Sequence, residues 1–394
     1  MWKIRPTDPK AVMPTVKQLL RLSGFSQNAE HIGKIILPNL FVYVAGLLIP
    51  KVCFPYPNSS AMIQGLAELI FFTNIFVGVY CIILQHDRFR KLLNTIDIFV
   101  NLVHRSSDQE EFLQERALIT LNRKVQKVST IYWYYAIITA SAYWSVPSLA
   151  TYRSIYLASM SENRSSIQYY PNLEASFYWL DNRNTVLGYV IYGIVTFIAF
   201  AFACYNHTTK LLTILTSIKY CTTLLQIVSI KIENLDRTAA DNIDRELKRV
   251  VQMHDLALRC VTLLNRTLSL VISLQLALCM VTWCLTLLYV LSIGLDLSAA
   301  NGLIIMINIT LEMFGYCFFC TELSTAGTHV ARQTYALRWE QYPSSTQKLV
   351  QMIIARGQQP LRLTSFGFVT VNVELFAKVV KTSYSVLIVM KDFL

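Results

Sequence analysis

Charge is scarce in this sequence. Only 15% of its 394 residues are Asp, Glu, Lys or Arg, where a soluble domain carries about 25%. Glycine and proline are also few, 13 and 11, which excludes a collagen-like or low-complexity chain. The nine cysteines are scattered, mostly in or beside apolar segments, so no disulfide framework is implied. Cys317 and Cys320 form a CxxC inside an apolar run with no partner Cys or His nearby, and no metal site is expected there. No Walker loop, GxSxG or HExxH occurs. No catalytic residue and no cofactor is therefore expected, and the chain is not read as an enzyme. The six histidines, at 31, 86, 104, 207, 254 and 329, all fall in stretches expected to be cytoplasmic, without an i,i+4 pair. The first 30 residues lack the short apolar run of a cleavable signal, so the first span is expected to direct insertion.

What the chain has is apolar sequence, 54% of the total, gathered in blocks of about 20 residues, the length of a bilayer-crossing helix. Seven spans are predicted, at 35–54, 62–84, 129–149, 186–205, 269–293, 302–320 and 366–390. The fold class is all-α membrane protein, because backbone in lipid must satisfy its own hydrogen bonds. The stretches 1–34, 85–127, 206–264 and 323–363 hold 6, 8, 8 and 5 Lys or Arg; the alternate stretches 51–61, 150–185, 294–300 and 391–394 hold 1, 3, 0 and 1. That split, 27 against 5, predicts a cytoplasmic N-terminus and an extracellular C-terminus. The net charge of +11 is spread over alternate loops and does not point to nucleic acid. Residues 211–230 are apolar apart from Lys219 and are expected to continue the fourth helix into the cytoplasm as an amphipathic segment packed on its neighbours. Residues 344–356 predict a further cytoplasmic helix. Of the sequons, Asn58 and Asn163 fall in expected outer loops and are glycosylation candidates.

Seven helices suggest a G-protein-coupled receptor, but the charge count places the N-terminus on the wrong side for one. A transporter would show paired repeats or broken helices, and the halves do not resemble each other.

The C-terminal third carries a resemblance. From Cys317 the chain reads "CFFCTELSTAGTHVARQTYALRWEQYPSSTQKLVQMIIARGQQPLRLTSFGFVTVNVELFAKVVKTSYS". The exit from the sixth span with Glu322-Leu323-Ser324, Tyr335 followed by Trp339, Gln359-Pro360 and the late Ser383-Tyr384-Ser385 resemble insect odorant receptors. So does "SFYWLDNRNTVLGYVIYG" before the fourth span. The resemblance implies a tetrameric, odour-gated cation channel in the plasma membrane of olfactory sensory neurons. In it a variable subunit pairs with the shared co-receptor Orco, a volatile odorant binds in the outer half, and the seventh helices line one pore. By that resemblance residues 1–364 form the membrane body and 365–394 the pore-lining helix. A gustatory receptor channel of the same fold is the alternative.

On a helical wheel for the last span, Thr370, Glu374, Lys378, Lys381, Ser385 and Asp392 fall within a stripe about 80° wide, and Glu374 and Lys378 are placed to pair. Lys381 lies about 15 Å from Lys391 along the helix axis, so the stripe is expected to face water, with Lys381 and Ser385 on the ion path. The family's pattern puts the constriction at Leu387 and Lys391 at the mouth, where Lys replaces an apolar residue. These two readings differ on which face lines the pore.

For the odorant pocket, outer-half aromatics are the candidates: Phe71, Phe72, Tyr143, Trp144, Tyr189, Tyr192 and Tyr289, with Asn308 as a polar group in an apolar run. The same aromatics also suit interfacial belts in contact with membrane lipid. Pro147 is expected to end the third helix nearby.

Overall fold

The computed structural model describes residues 10–23, 29–104, 111–160, 167–235, 242–293 and 299–391. Its helices run well past the apolar blocks. They are α1 (Pro14–Leu22), α2 (Ala29–Tyr43), α3 (Ile49–Val52), α4 (Ser59–Leu84), α5 (His86–Val103), α6 (Glu111–Met160), α7 (Val186–Leu235), α8 (Ile243–Ile293), α9 (Ala300–Ala336), α10 (Ser344–Gly357) and α11 (Val373–Lys391). A π turn, Val44–Leu48, joins α2 to α3 six residues after Pro38. Among the described residues four helices, α4, α7, α8 and α9, are long and apolar enough to cross a membrane by length and composition, and the apolar helix over Ile36–Val52 is shorter.

Helix α7 shows how one element serves two environments. It has 50 residues, about 75 Å of helix. In its first half Leu187, Val190, Ile191, Ile194, Phe197 and Ile198 are exposed. They follow the helical period and form one lipid-type face. From Asn206 to Leu235 nearly every side chain is buried. The inner segment therefore continues the fourth helix and packs on its neighbours, as the sequence predicts, but it is surrounded on all sides rather than amphipathic. Neighbours α4, α6, α8 and α9 enclose it, and α1 caps it. Met13 N donates to Tyr220 Oη at 3.0 Å, and Tyr205 Oη donates to Leu19 O at 2.7 Å.

The stretch 85–127, counted only as a basic loop, is largely helical. In α5 the residues Phe89, Leu92, Leu93, Ile96, Phe99, Val100 and Val103 are buried, the spacing of a helix docked by one face; that face packs on α8. Residues 344–357 form α10, as the sequence predicts.

Two expectations fail for backbone reasons. Pro147 does not end the third helix; α6 runs through it to Met160. A proline inside a helix removes one donor and crowds the preceding turn. The missing donor is that of Tyr143 O; at the neighbouring carbonyl Asn172 Nδ2 and Ser148 Oγ donate to Trp144 O at 2.6 and 3.1 Å. The last span does not begin at 366. Strands β1 (Thr364–Ser365) and β2 (Val369–Thr370) form a hairpin, whose turn holds Phe366 and Gly367 at φ 51° and 82°. The hairpin is pinned to one face of α8. Thr364 N donates to Asn265 Oδ1 at 3.0 Å, Ser269 Oγ to Thr364 O at 2.6 Å, and Phe366 N to Ser273 Oγ at 2.6 Å. Asn372 then caps α11 through Leu375 N at 2.8 Å. Thr370 is thus off the helical wheel of the last span.

His254, on the inner part of α8, is buried at 6% exposure. Burial, with the Arg356 charge adding to it, pushes its pKa from 6.5 down to about 4. The folded chain holds this imidazole neutral where the unfolded chain would protonate it. Its contribution is therefore intact above pH 6.5 and is lost as pH falls towards 4, by roughly 3 kcal/mol at most. The Tm of the purified protein should fall across that window, and His254→Gln should flatten this part of the profile.

Candidate ligand-binding site

Four helices leave a gap where the facing stripes of α6 and α7 carry small residues. From α6 come Ala136, Thr139, Ala140 and Tyr143; from α7, Phe200, Ala203, Cys204 and His207. Both sets have the i, i+3, i+4, i+7 spacing of one helix face. Phe71, Phe72 and Ile75 of α4 and Ile304, Ile305 and Asn308 of α9 complete a cavity of about 50 Å³. Its wall is aromatic. The Phe72 and Phe200 rings meet edge to face at 5.7 Å, and Tyr143 lies 5.2 Å from Phe200. Most of its polar groups are already engaged: Thr139 Oγ1 donates to Tyr135 O at 3.0 Å, and Asn308 Nδ2 to Ile304 O at 2.8 Å.

A buried carboxylate lies on each side of the cavity. Towards the loop that joins α6 to α7, Tyr143 Oη donates to Glu68 Oε1 at 2.6 Å. Glu68 also binds Lys51 Nζ at 2.5 Å and the Glu174 backbone N–H at 2.9 Å, and both Lys51 and Glu68 are fully buried. Lys51 Nζ donates in turn to Glu174 O at 3.0 Å, and Glu174 pairs with Arg183. Burial raises the Glu174 carboxyl above its usual range, with Arg183 opposing. Burial and then the Glu68 charge push Tyr56, whose hydroxyl donates to Lys51 O, up to about 12. The loop is thereby tied down over the helix ends.

On the other side Glu312 of α9 pairs with Lys210 of α7 at 2.7 Å, both at 0% exposure. Tyr316 Oη donates to Glu312 Oε1 at 2.8 Å, and Asn74 Nδ2 to Oε2 at 3.4 Å. Gly78 makes room: a Cβ there would sit 2.4 Å from Lys210 Cδ.

The family profile "7tm Odorant receptor" matches residues 58–384. The chain belongs to that family. It is 26% identical over 82 residues to "Odorant receptor 10a" of Drosophila melanogaster, and that match spans 20% of the relative's length. The receptor chain superposes on the olfactory receptor OR5 of Machilis hrabei with a TM-score of 0.73, at 16% identity over 95% of this chain and 96% of the other. On OR5 in complex with eugenol the TM-score is 0.74, at 15% identity over 96% and 97%. The receptor therefore has the seven-helix membrane fold of an odorant receptor. The two spans that hydropathy alone leaves weak, in α6 and α11, carry tyrosines and lysines where the others carry aliphatics.

Among the residues predicted for the pocket, Phe71, Phe72, Tyr143 and Asn308 line the cavity. Trp144, Tyr189, Tyr192 and Tyr289 do not. Trp144 faces the seam with α7, donating Nε1 to Gly193 O at 3.2 Å. Tyr192 is buried under the loop, its hydroxyl on Leu173 O at 3.0 Å. Tyr189 meets the Tyr169 ring at 5.7 Å, and Tyr289 packs with Val290 and Ala299 in a separate small cluster. The sequence reading missed His207, which it placed in the cytoplasm, and the alanines that make the void.

On α11, Lys381 and Ser385 are exposed, and Glu374 and Lys378 do not pair with each other. Glu374 and Lys378 instead border an open, polar cleft of about 750 Å³ that also holds Arg332 and Arg362. Leu387 and Lys391 lie on α11, and their side chains are outside the described residues, as is all of Asn163. Asn58 is exposed and caps α4, accepting from Ala61 N at 2.7 Å.

Removing Glu68 alone strands the Lys51 ammonium in the interior, at a cost of about 3–5 kcal/mol. Glu68→Leu should lower the Tm of the purified receptor sharply. Lys51→Met with Glu68→Leu should lose less than the single change, as thermal unfolding in detergent would read.

Proposed function

We propose that this chain is the odorant-binding subunit of a heteromeric, ligand-gated, non-selective cation channel. It works with the co-receptor Orco in the plasma membrane of olfactory sensory neurons, N-terminus inside and C-terminus outside. The observation that carries the reading is the aromatic cavity between α4, α6, α7 and α9, set in the fold of a receptor solved with eugenol. Phe71, Phe72, Tyr143 and Asn308 bind the odorant, while Trp144, Tyr189, Tyr192 and Tyr289 hold the helices and loop around it. At about 50 Å³ the cavity is far below the 300 Å³ or more of a ligand site. Odorant binding must move the wall, so it favours a state with a larger cavity, and that preference shifts the population towards opening.

The ion path runs along α11 past Lys381, Ser385, Leu387 and Lys391. A ring of four Lys391 ammonium groups at the mouth would repel cations. One or two among co-receptor subunits would only tune conductance, which favours a heteromer.

Expressed with the co-receptor, the chain should pass an odorant-evoked cation current that persists when G-protein signalling is blocked; a current abolished by the block would overturn the channel reading. Ala136→Leu, which fills the cavity, should raise odorant thresholds more than tenfold, whereas Trp144→Phe should shift them less than threefold, read from dose–response curves. Lys391→Glu should raise unitary cation conductance, measured in single-channel recordings.

A further inference from the structure

His207 is the polar group of the cavity wall that the fold leaves unused. Its side chain is 6% exposed, and among the described residues neither ring nitrogen makes a hydrogen bond. The ring is held between Phe71 and Tyr132, with centroids at 6.2 and 6.0 Å, so it is not free to turn towards a partner elsewhere. A buried polar side chain without a partner is costly, and this one lines the cavity, where a ligand can meet it. The other hydroxyl and amide donors of the wall are bonded to protein: Tyr143 to Glu68, Thr139 to its own helix, and Asn308 to Ile304 O.

The direction of the missing bond follows from the neighbours. Nδ1 faces Glu312, with Oε2 at 3.7 Å, too far for a hydrogen bond but close enough to favour the tautomer that carries its proton on Nδ1. Lys210 already supplies the countercharge of Glu312, so the imidazole is uncharged. Nε2 is then left as a bare acceptor.

We infer that His207 Nε2 accepts a hydrogen bond from the odorant, so the receptor selects ligands with an apolar frame and one hydroxyl, phenols and alcohols, over the matching ethers. This rests on the odorant-binding reading above and names the ligand class of that site. A hydroxyl satisfies Nε2 by donating; an ether has no proton to give and leaves it unpaired in the interior.

The test compares 4-ethylphenol with 4-ethylanisole, which share a frame and differ in the donor. Binding is read from the ligand-induced rise in Tm of the purified full-length chain, and gating from currents of the chain co-expressed with the co-receptor. The phenol should bind at least about fivefold more tightly than the anisole, ~1 kcal/mol. His207→Phe should bring the two within about twofold, by weakening the phenol. His207→Gln, which restores an acceptor oxygen, should keep the preference, and it serves as the test if the Phe variant fails to fold. Equal binding of the pair to the wild type, binding of neither, or a preference that survives His207→Phe would each overturn the assignment. Selective binding without any current would instead overturn the channel reading and leave this one standing.

Discussion

The ion pair of Lys210 and Glu312 fixes the geometry on which the rest of this receptor depends. Burying two charges costs several kcal/mol each, and only close geometry with further hydrogen bonds offsets it. The chain supplies both: Nζ lies 2.7 Å from one carboxylate oxygen, Tyr316 donates to the same oxygen, and Asn74 reaches the other. The lysine stem crosses α4 where Gly78 has no side chain. A slip of one residue along α7 or α9 would turn the charged group by about 100° and leave its partner buried and alone. The pair is therefore better understood as setting register than as adding net stability. That register aligns Phe200 to His207 of α7 with Ile304 to Asn308 of α9, the two stripes that face the cavity.

Glu68 does the same on the other side for α3, α4, α6 and the loop after α6, through Lys51, Tyr143 and the Glu174 backbone. Between these two carboxylates aromatic rings face small side chains across the cavity, and no ion pair crosses it among the described residues. Ring rotations and shifts of Ala136, Ala140 or Ala203 break no ion pair there. The part of the bundle that can change shape at low cost is thus confined between two parts that cannot.

How much of this the sequence reveals depends on the kind of signal. Membrane spans are legible because lipid demands long apolar runs, and the odorant-receptor likeness of the last 80 or so residues is carried by polar and aromatic residues that stand out. The inner halves of α6, α7 and α8 are not legible as one buried bundle, since helices that pack on each other away from lipid mix charged and apolar residues freely. Lys210 and Lys51 both entered the charge count as loop residues, yet both are buried partners of carboxylates; the orientation argument survives because two misplaced lysines barely alter so lopsided a ratio. Conspicuous aromatics were a fair guide to the cavity only where they face helices. Near the loops, Tyr192 and Trp144 are spent on backbone carbonyls. The void itself comes from alanines, which no composition argument singles out.

Helix α9 connects the cavity to the last helix. Ile304, Ile305 and Asn308 line the wall, Glu312 holds the ion pair, Phe314 meets Phe376 of α11 at 5.4 Å, and Thr321 Oγ1 accepts from Val373 N at 3.0 Å where α11 starts. From Asn308 to Thr321 is about 20 Å of continuous helix. The cavity wall and the seat of α11 therefore lie on one rod, α9, which continues past Thr321 to Ala336. The hairpin before α11 is fixed to α8 at Asn265, Ser269 and Ser273, and α11 itself packs on both α8 and α9, so a shift of α9 against α8 would act on α11 from one side.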